Sequence, residues 1–186
     1  MKFYIKNMVC SRCKMVVRDR FEQAGFSPLS VELGEVEIRE NPAPDQLQQV
    51  THDLQKLGFE IIDDRKSQLI EQIKNALITL IHHQEELPKT NLSDFIAGKL
   101  HYDYTYLSNL FSEVEGTTIE KYFIAQRIEK AKELLMYDEL TLAQIADRLG
   151  YSSPSYLSNQ FRKQTGLSPS FYKSLKENRR RNIEEL

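Results

Sequence analysis

Two cysteines three positions apart, Cys10 and Cys13, form the most reactive pattern in this sequence. Thiolates bind soft metal ions and exchange disulfides, and the deprotonated form does both. An alternating apolar stretch precedes the pair and a helical pattern follows it. We therefore expect the pair at a helix N-terminus, where backbone amides and Arg12 favour thiolates. Two thiolates alone suit Cu(I), which accepts low coordination, whereas Zn(II) needs two further ligands.

Three uses of the pair stay open at this point. The pair binds a metal, it acts as a thiol–disulfide switch, or the thiols are unused in a domain that mediates dimerisation or protein contact. Cysteines this close cannot link distant elements, which is typical of a reducing compartment. Lys2 and Lys6 interrupt any signal-peptide core, and no run reaches eighteen apolar residues. We therefore expect a cytoplasmic protein with no membrane partner.

The second pattern is a phrase that the chain repeats. Tyr-Leu-Ser-Asn at residues 106–109 recurs at residues 156–159, and Phe and Gly follow each copy at the same spacing. A strict repeat indicates two copies of one structural unit. Each copy follows a short apolar helix pattern and a tight connection, which is typical of a helix-turn-helix. We predict two such units, at about residues 93–116 and 142–166.

Each repeated phrase predicts a helix with one buried and one exposed face. Leucine and phenylalanine four positions apart anchor the buried face, at Leu107 and Phe111 and again at Leu157 and Phe161. Asn can pair with adenine, and Ser or Thr can contact any base edge. The outward positions are therefore candidate base contacts: Thr105, Ser108, Asn109, Ser155, Ser158 and Asn159. The alternative is that they are solvated polar positions on a helical bundle.

Charge is distributed unevenly along a chain whose net charge is -2. Residues 1–64 hold eight basic against eleven acidic side chains, and residues 141–181 hold eight basic against two acidic ones. The basic excess in residues 141–181 includes Arg162 and Lys163, and it favours contact with phosphates at that end of the chain. Residues 88–117 balance to -2, with Ser112 and Glu113 where the second copy has Arg162 and Lys163.

Periodicity predicts two domains and an α+β fold. Residues 1–64 show the order strand–helix–strand–strand–helix–strand, the ferredoxin-like plan. The first helix carries an apolar face of Met15, Val16, Val17 and Phe21, and the second carries Leu47, Val50, Leu54 and Leu57. Residues 65–186 show helical periodicity throughout, and seven helices are predicted there. The predicted domain boundary falls near residues 63–66.

The second half resembles the DNA-binding domain of AraC/XylS-type transcription regulators over roughly residues 66–179. The shared phrases are Arg-Ile-Glu-Lys-Ala-Lys-Glu-Leu-Leu at residues 127–135, Ile-Ala-x-x-Leu-Gly-Tyr at residues 145–151 and a final stretch at residues 155–169. The resemblance implies that two recognition helices enter successive major grooves of an operator. It also implies base contacts from the outward positions, with Arg162 and Lys163 contacting phosphates or flanking the groove.

The first 64 residues resemble the heavy-metal-associated domain of copper chaperones. The likeness rests on Met-x-Cys-x-x-Cys at a strand-to-helix loop, with Asn7 where that family usually has Gly. It implies Cys10 and Cys13 as ligands, Cu(I) as the metal if any is bound, and Met8 as a core residue. Phe59 falls in the loop that approaches the metal site in that family, and we expect it to be a core or lid residue.

Together these patterns predict a sequence-specific regulator that senses metal or redox state and is not an enzyme. Besides an operator duplex, the partners considered are a second copy of the chain, RNA polymerase and a metal chaperone. The alternative function is a copper-trafficking or thiol-redox protein that uses its helical half to bind a partner.

Overall fold

A computed structural model describes residues 1–84 and 90–175 of the chain. Two stretches lie outside the described residues: residues 85–89, where Pro88 predicts a loop, and the C-terminal basic residues Lys176, Arg179, Arg180 and Arg181. The described elements are β1 (Lys2–Lys6), α1 (Ser11–Gln23), β2 (Pro28–Glu32), β3 (Glu35–Ile38), α2 (Pro44–Lys56), β4 (Glu60–Ile62), α3 (Arg65–His82), α4 (Leu92–Leu100), α5 (Tyr104–Glu115), α6 (Ile119–Tyr137), α7 (Leu142–Arg148) and α8 (Pro154–Thr165). Residues 169–175 are also helical. None of the described helices has the length and apolarity needed to cross a membrane.

The first six elements form a four-stranded sheet with two helices, in the order that the alternation predicts. The strand order is β2-β3-β1-β4, and every neighbouring pair is antiparallel. Phe3 on β1 lies opposite Val36 on β3, and both side chains are buried on one face. The same core contains residues from both helices: Val17, Phe21, Val50 and Leu54.

Three apolar residues that were predicted to line helix cores lie at the surface instead. Val17 and Phe21 are fully buried, but Met15 is 69% exposed and Val16 is also exposed. Because about 3.6 residues complete a helical turn, Met15 and Val16 are rotated away from the line through Val17 and Phe21. Leu57 is exposed because it follows the last residue of α2 as its C-cap.

The first part of α3 packs with the sheet, a contact that the sequence did not predict. Glu71 is only 7% exposed, and its Oε1 accepts a hydrogen bond from the backbone N–H of Asn7 at 3.2 Å. Gln72 Nε2 donates to Glu35 Oε1 at 3.3 Å. Polar side chains of α3 therefore contact the end of β1 and the start of β3.

The chain divides into two compact regions. One comprises Met1–Ala76 with Lys99–His101, and the other comprises Leu77–Gly98 and the residues from Tyr102 onward. The predicted boundary near residues 63–66 coincides with the start of α3, whereas the contacts of α3 draw its residues up to Ala76 into the first region.

Helices account for the secondary structure of the second half within the described residues. From α3 to residues 169–175 there are seven helical segments, as predicted. Six apolar residues at helical spacing along α3 are all buried: Leu69, Ile70, Ile73, Leu77, Leu80 and Ile81. In α6 the apolar residues Ile128, Ala131, Leu134 and Leu135 are buried, whereas Phe123 and Ile124 are half-buried.

Candidate nucleic-acid interface and thiol site

The two Tyr-Leu-Ser-Asn phrases lie in helices of equal length with equivalent ends. α5 and α8 each contain 12 residues. Asp103 Oδ1 accepts from the backbone N–H of Tyr106 at 3.1 Å, and Ser153 Oγ accepts from that of Tyr156 at 3.1 Å. These side chains cap the helices in the same way. A glycine in the left-handed conformation follows each helix, Gly116 at φ 66° and Gly166 at φ 77°.

The buried faces of α5 and α8 are also equivalent. The predicted anchors are all fully buried: Leu107, Phe111, Leu157 and Phe161. Each phenylalanine meets a tyrosine ring edge-on, Phe111 with Tyr122 at 5.7 Å and Phe161 with Tyr172 at 5.4 Å between centroids. The two helices are therefore held by matching contacts, and the opposite face of each remains accessible.

The eight residues predicted to contact DNA lie on α5 and α8: Thr105, Ser108, Asn109, Ser155, Ser158, Asn159, Arg162 and Lys163. Ser108 and Ser158 are half-buried, and the other six are exposed. The structure therefore brings each predicted set onto one helix. Their contact with DNA stays a prediction.

The turns before the two recognition helices share a left-handed residue. His101 has φ 59° and Gly150 has φ 65°, and each stands between a leucine and a tyrosine in the sequence. Glycine adopts this conformation without strain, whereas a residue with a Cβ does so at a cost. The first turn therefore has a histidine at the position where the second turn has glycine, and the histidine adopts the left-handed conformation with more strain.

Each turn also supplies a tyrosine to its recognition helix, and sequence reasoning missed this pair of contacts. Tyr102 stacks on Tyr106 with 5.9 Å between centroids, and Tyr151 meets Tyr156 edge-on at 5.9 Å. The second turn is one residue longer, so these tyrosines do not align at the fifty-residue spacing of the repeated phrase. The sequence signal for the two turn tyrosines is a shared Leu-x-Tyr motif, which is Leu-His-Tyr in the first turn and Leu-Gly-Tyr in the second.

Charge is the main difference between the two helices. α5 carries Glu113 and Glu115 and no basic residue, whereas α8 carries Arg162 and Lys163 and no acidic one. The cations lie in the last turn of α8, where the helix dipole also favours positive charge. The second helix is therefore the better suited of the two to a polyanion.

Arg127 on α6 lies beside the second turn, and the sequence did not single it out. Its guanidinium is 3.6 Å from the centroid of the Tyr151 ring and 5.2 Å from that of Phe123. Nε and Nη2 are buried and have no hydrogen-bond partner among the described residues. Burial lowers the pKa of Arg127. The contacts of this cation are therefore mainly with aromatic faces.

The two thiols lie together at the start of α1. Cys10 is the N-cap residue, both cysteines are half-buried, and their Sγ atoms are 3.3 Å apart. The pKa of Cys10 is lowered, chiefly by the backbone N–H of Cys13 and then by the Cys13 thiol, with a smaller contribution from Arg12. Within the described residues, no group of three or more His, Cys, Asp or Glu side chains could hold a metal.

The loop that presents the thiols is fixed on both sides. Asn7 has φ 71°, a left-handed conformation that Asn tolerates better than most residues, which accounts for Asn at this position. Its Nδ2 donates to the backbone oxygen of Gly58 at 2.8 Å. Met8 and Phe59 are buried in the first core, as expected for both.

Comparison with known proteins identifies the helical half. The family model described as "Helix-turn-helix domain" matches residues 96–174. The Transposon Tn10 TetD protein of Escherichia coli is 30% identical over 101 residues, which are 54% of this chain and 71% of TetD. The chain belongs to the AraC-type transcription regulators.

Two further matches cover different shares of the proteins compared with this chain. The uncharacterized HTH-type transcriptional regulator YtdP of Bacillus subtilis (strain 168) is 30% identical over 115 residues, and these are 62% of this chain but 15% of YtdP. The solved C-terminal domain of AraT, a response regulator from Geobacillus stearothermophilus, is 28% identical with a TM-score of 0.50. That likeness covers 60% of this chain and 88% of the AraT domain. The chain thus spans most of TetD and a small part of YtdP.

Proposed function

We propose that α5 and α8 of this AraC-type regulator enter successive major grooves on one face of an operator duplex. Such grooves lie about 34 Å apart. The duplication of the helix is the observation that supports this proposal most directly. Both helices bury the same Leu and Phe, and both carry Ser and Asn at the same outward positions. A paired arrangement of this kind fits a bipartite duplex site.

Within this proposal the contacts fall into two groups. The base edges are read by six residues: Thr105, Ser108, Asn109, Ser155, Ser158 and Asn159. Asn can make two hydrogen bonds to adenine, while the hydroxyls accept or donate at any base edge. Arg162 and Lys163, both exposed at the end of α8, contact phosphates and set the affinity without adding sequence information.

The two helices contribute unequally in this proposal. Glu113 and Glu115 on α5 repel the phosphate backbone, whereas Arg162 and Lys163 on α8 attract it. The second helix-turn-helix is therefore the main anchor, and the first positions it and adds selectivity.

Salt dependence tests DNA binding directly. A duplex selected from a randomised pool should lose roughly three to five decades of affinity between about 50 and 200 mM salt if six to ten phosphates are contacted. Fluorescence anisotropy of the labelled duplex measures this loss. Little affinity for any duplex would contradict the proposal and support a partner-binding role for the helical half.

We further propose that the first 64 residues form a ferredoxin-like domain related to heavy-metal-associated domains, and that Cys10 and Cys13 hold Cu(I). The element order and the antiparallel β2-β3-β1-β4 sheet support the fold assignment. Two sulfur atoms 3.3 Å apart support binding to one soft ion. A pair without further clustered ligands in the described residues suits a metal of low coordination number.

The residues around the thiols prepare them for binding. The Cys13 amide and the Arg12 charge help Cys10 to lose its proton, which a metal ligand must do. Bound Cu(I) would supply a link between the two thiolates. It would regulate DNA binding only if it stabilises one of two states of the protein, for example a dimer, more than the other.

Metal binding can be tested separately from DNA binding. Titration with Cu(I) against a competing chelator should show tight binding by the native chain and none by the Cys10→Ser/Cys13→Ser variant. Equal affinities would contradict the metal proposal. The short Sγ–Sγ distance also favours a redox switch, in which an added disulfide oxidant removes two electrons and two protons to form the Cys10–Cys13 bond. Operator affinity before and after copper or oxidant shows which change, if either, is regulatory.

A further inference from the structure

Tyr156 is an exposed aromatic residue in the first part of the second recognition helix. Half of its surface is accessible, at 50%, although tyrosine is a large and partly apolar side chain. Asn159 and Lys163 follow it at three and seven positions, so the three side chains share one strip of the α8 surface. That strip lies beside the row of Ser155, Ser158 and Arg162. Tyr156 therefore lies at the edge of the proposed base-reading surface, on the same strip of α8 as the cation Lys163.

The hydroxyl of Tyr156 is available to donate a hydrogen bond. Gln160 Nε2 donates to it at 3.4 Å, so this contact occupies an acceptor position and leaves the O–H proton unused. Tyrosine hydroxyls are among the groups that donate to phosphate oxygens in protein–DNA complexes. A donor in line with Lys163 suits a backbone phosphate better than a base edge.

Two further residues hold the Tyr156 ring in place. The ring meets Tyr151 edge-on, and Tyr151 is itself only 7% exposed. The face of Tyr151 carries the guanidinium of Arg127 at 3.6 Å. Tyr156 is therefore the exposed end of a chain of contacts that begins at a half-buried arginine on α6.

The Arg127 charge has no carboxylate partner in the part of the chain that the structure describes. None of the ion pairs formed by described residues includes it. Its positive charge is therefore not neutralised locally and adds to the field at this end of α8. Tyr151 therefore orients Tyr156, and the charge of Arg127 favours an anion nearby.

The first recognition helix provides a natural comparison. Tyr106 is 49% exposed and lies against Tyr102, as Tyr156 lies against Tyr151. The strip that starts at Tyr106 passes Asn109 and ends at Glu113 rather than at a lysine. An equally exposed tyrosine is thus aligned with a negative charge, which disfavours a phosphate.

We propose that Tyr156 donates a hydrogen bond to a phosphate of the duplex backbone and that Tyr151 and Arg127 are positioning residues for it. This inference rests on the proposed DNA-binding function. It adds a contact outside the eight predicted residues, and one that carries no sequence information.

The decisive variant is Tyr156→Phe, which keeps the ring and its contact with Tyr151. Its matched control is Tyr106→Phe. The probe is a labelled duplex of about 30 base pairs, long enough for two successive grooves. It is used once with a sequence selected from a randomised pool and once with a scrambled sequence. We expect Tyr156→Phe to weaken binding to both duplexes by the same factor, about tenfold. Tyr106→Phe should change it less than about threefold.

The positioning role is tested by a double variant. In an Arg127→Met background, Tyr156→Phe should cost much less than its tenfold effect alone, because the hydroxyl is no longer held in place. Circular dichroism and a melting curve confirm that each variant is folded, and Arg127→Lys replaces Arg127→Met if the latter is not.

Three results would overturn the inference. One is native affinity in Tyr156→Phe, another is an equal loss in Tyr106→Phe, and the third is a loss confined to the selected sequence. If the losses of DNA affinity caused by Arg127→Met and Tyr156→Phe were fully additive, Arg127 would not be a positioning residue. Failure of the native chain to bind either duplex would instead refute the proposed function itself, so the two failures are distinguishable.

Discussion

The two helix-turn-helix units have nearly the same scaffold and different surfaces. α5 and α8 have the same length, matching N-caps at Asp103 and Ser153, and left-handed glycines after their last residues. Their buried leucines and phenylalanines occupy the same positions, and each phenylalanine meets a tyrosine ring edge-on. The residues that specify the helix are thus repeated almost without change.

The differences lie on the exposed faces of the two helices, where we propose that they contact a duplex, and in the turns that precede the helices. Glu113 and Glu115 on α5 contrast with Arg162 and Lys163 on α8, and His101 stands where the second turn has Gly150. In this duplicated unit the surface charge has diverged, whereas the scaffold has not. Variants of matched positions should therefore have equal effects when they alter the scaffold and unequal effects when they alter the surface.

The largest expected effect is on stability, and it should be equal in the two units. Phe111→Ala and Phe161→Ala each remove a fully buried ring. Each should lower the free energy of unfolding by about 3–5 kcal/mol, because a large cavity and a ring contact replace close packing. Urea unfolding followed by circular dichroism measures the change. A difference of more than about 2 kcal/mol between the variants would show that the scaffolds are not equivalent.

This equivalence was largely predictable from the sequence, because short-range rules govern it. Caps, left-handed glycines and apolar spacings of three or four act over a single helix, so Asp103, Ser153 and the buried phenylalanines could be identified directly. The positions of the eight candidate contact residues followed from the same periodicity. Their chemistry with DNA, and that of the thiols with copper, stays a prediction.

What the sequence did not reveal depends on contacts between elements. Glu71 looks like an ordinary surface residue, yet it is buried against the backbone of Asn7, 64 residues away. Arg127 reads as a charge on a helix surface, whereas its guanidinium lies on the Tyr151 ring. Met15 looks apolar and therefore buried, but helix rotation places it at the surface. Local patterns contain no information about which element covers which face.

The next largest effect concerns DNA affinity and should be unequal. Asn159→Ala or Arg162→Ala should weaken binding to a selected operator by about 1–3 kcal/mol, because each removes a base or phosphate contact that we propose for α8. Asn109→Ala should cost clearly less, since α5 docks against the repulsion of its own carboxylates. Gel-shift titration at one salt concentration measures all three. Equal losses from Asn109→Ala and Asn159→Ala would contradict the ranking.

The same comparison can be tested in the opposite direction by changing the charge of the first helix. Ser112→Arg with Glu113→Lys gives α5 the basic pair that α8 has at Arg162 and Lys163. Affinity should rise, and the slope of log K against log salt should steepen by about two because two more phosphates are neutralised. An unchanged slope would mean that α5 does not approach the backbone. Ser30→Arg with Glu37→Lys, two exposed positions on the sheet, adds the same charge outside the helix-turn-helix units and controls for a general charge effect.

A smaller effect is expected in the turns. Gly150→Ala should lower the free energy of unfolding by about 1–2 kcal/mol, because φ there is 65° and a Cβ is disfavoured in that conformation. His101→Gly should have the opposite sign and stabilise by at most about 1 kcal/mol, since relief of strain is offset by the greater freedom of glycine in the unfolded chain. Thermal melting measures both. Destabilisation by His101→Gly would show that the histidine makes a compensating contact.

The smallest effect is a pH dependence confined to the first unit. The Tyr104 hydroxyl at the start of α5 donates to Glu120 Oε1 at the start of α6, whereas Pro154 occupies the corresponding position of α8. This hydrogen bond is the main cause of the lowered pKa of Glu120. A carboxyl group whose pKa is depressed by folding stabilises the protein above its unfolded pKa and loses that contribution as the pH falls through the folded value. Tyr104→Phe should therefore cost less than about 1 kcal/mol at pH 7, because the pair is partly exposed, and this cost should shrink as the pH falls through the folded pKa of Glu120. Urea unfolding of the native and variant chains at a series of pH values from 7 downward measures how their free energies of unfolding converge. If the difference persisted at low pH, or if Glu120→Gln left it unchanged at pH 7, the contact would be acting through packing rather than through the ionised carboxylate.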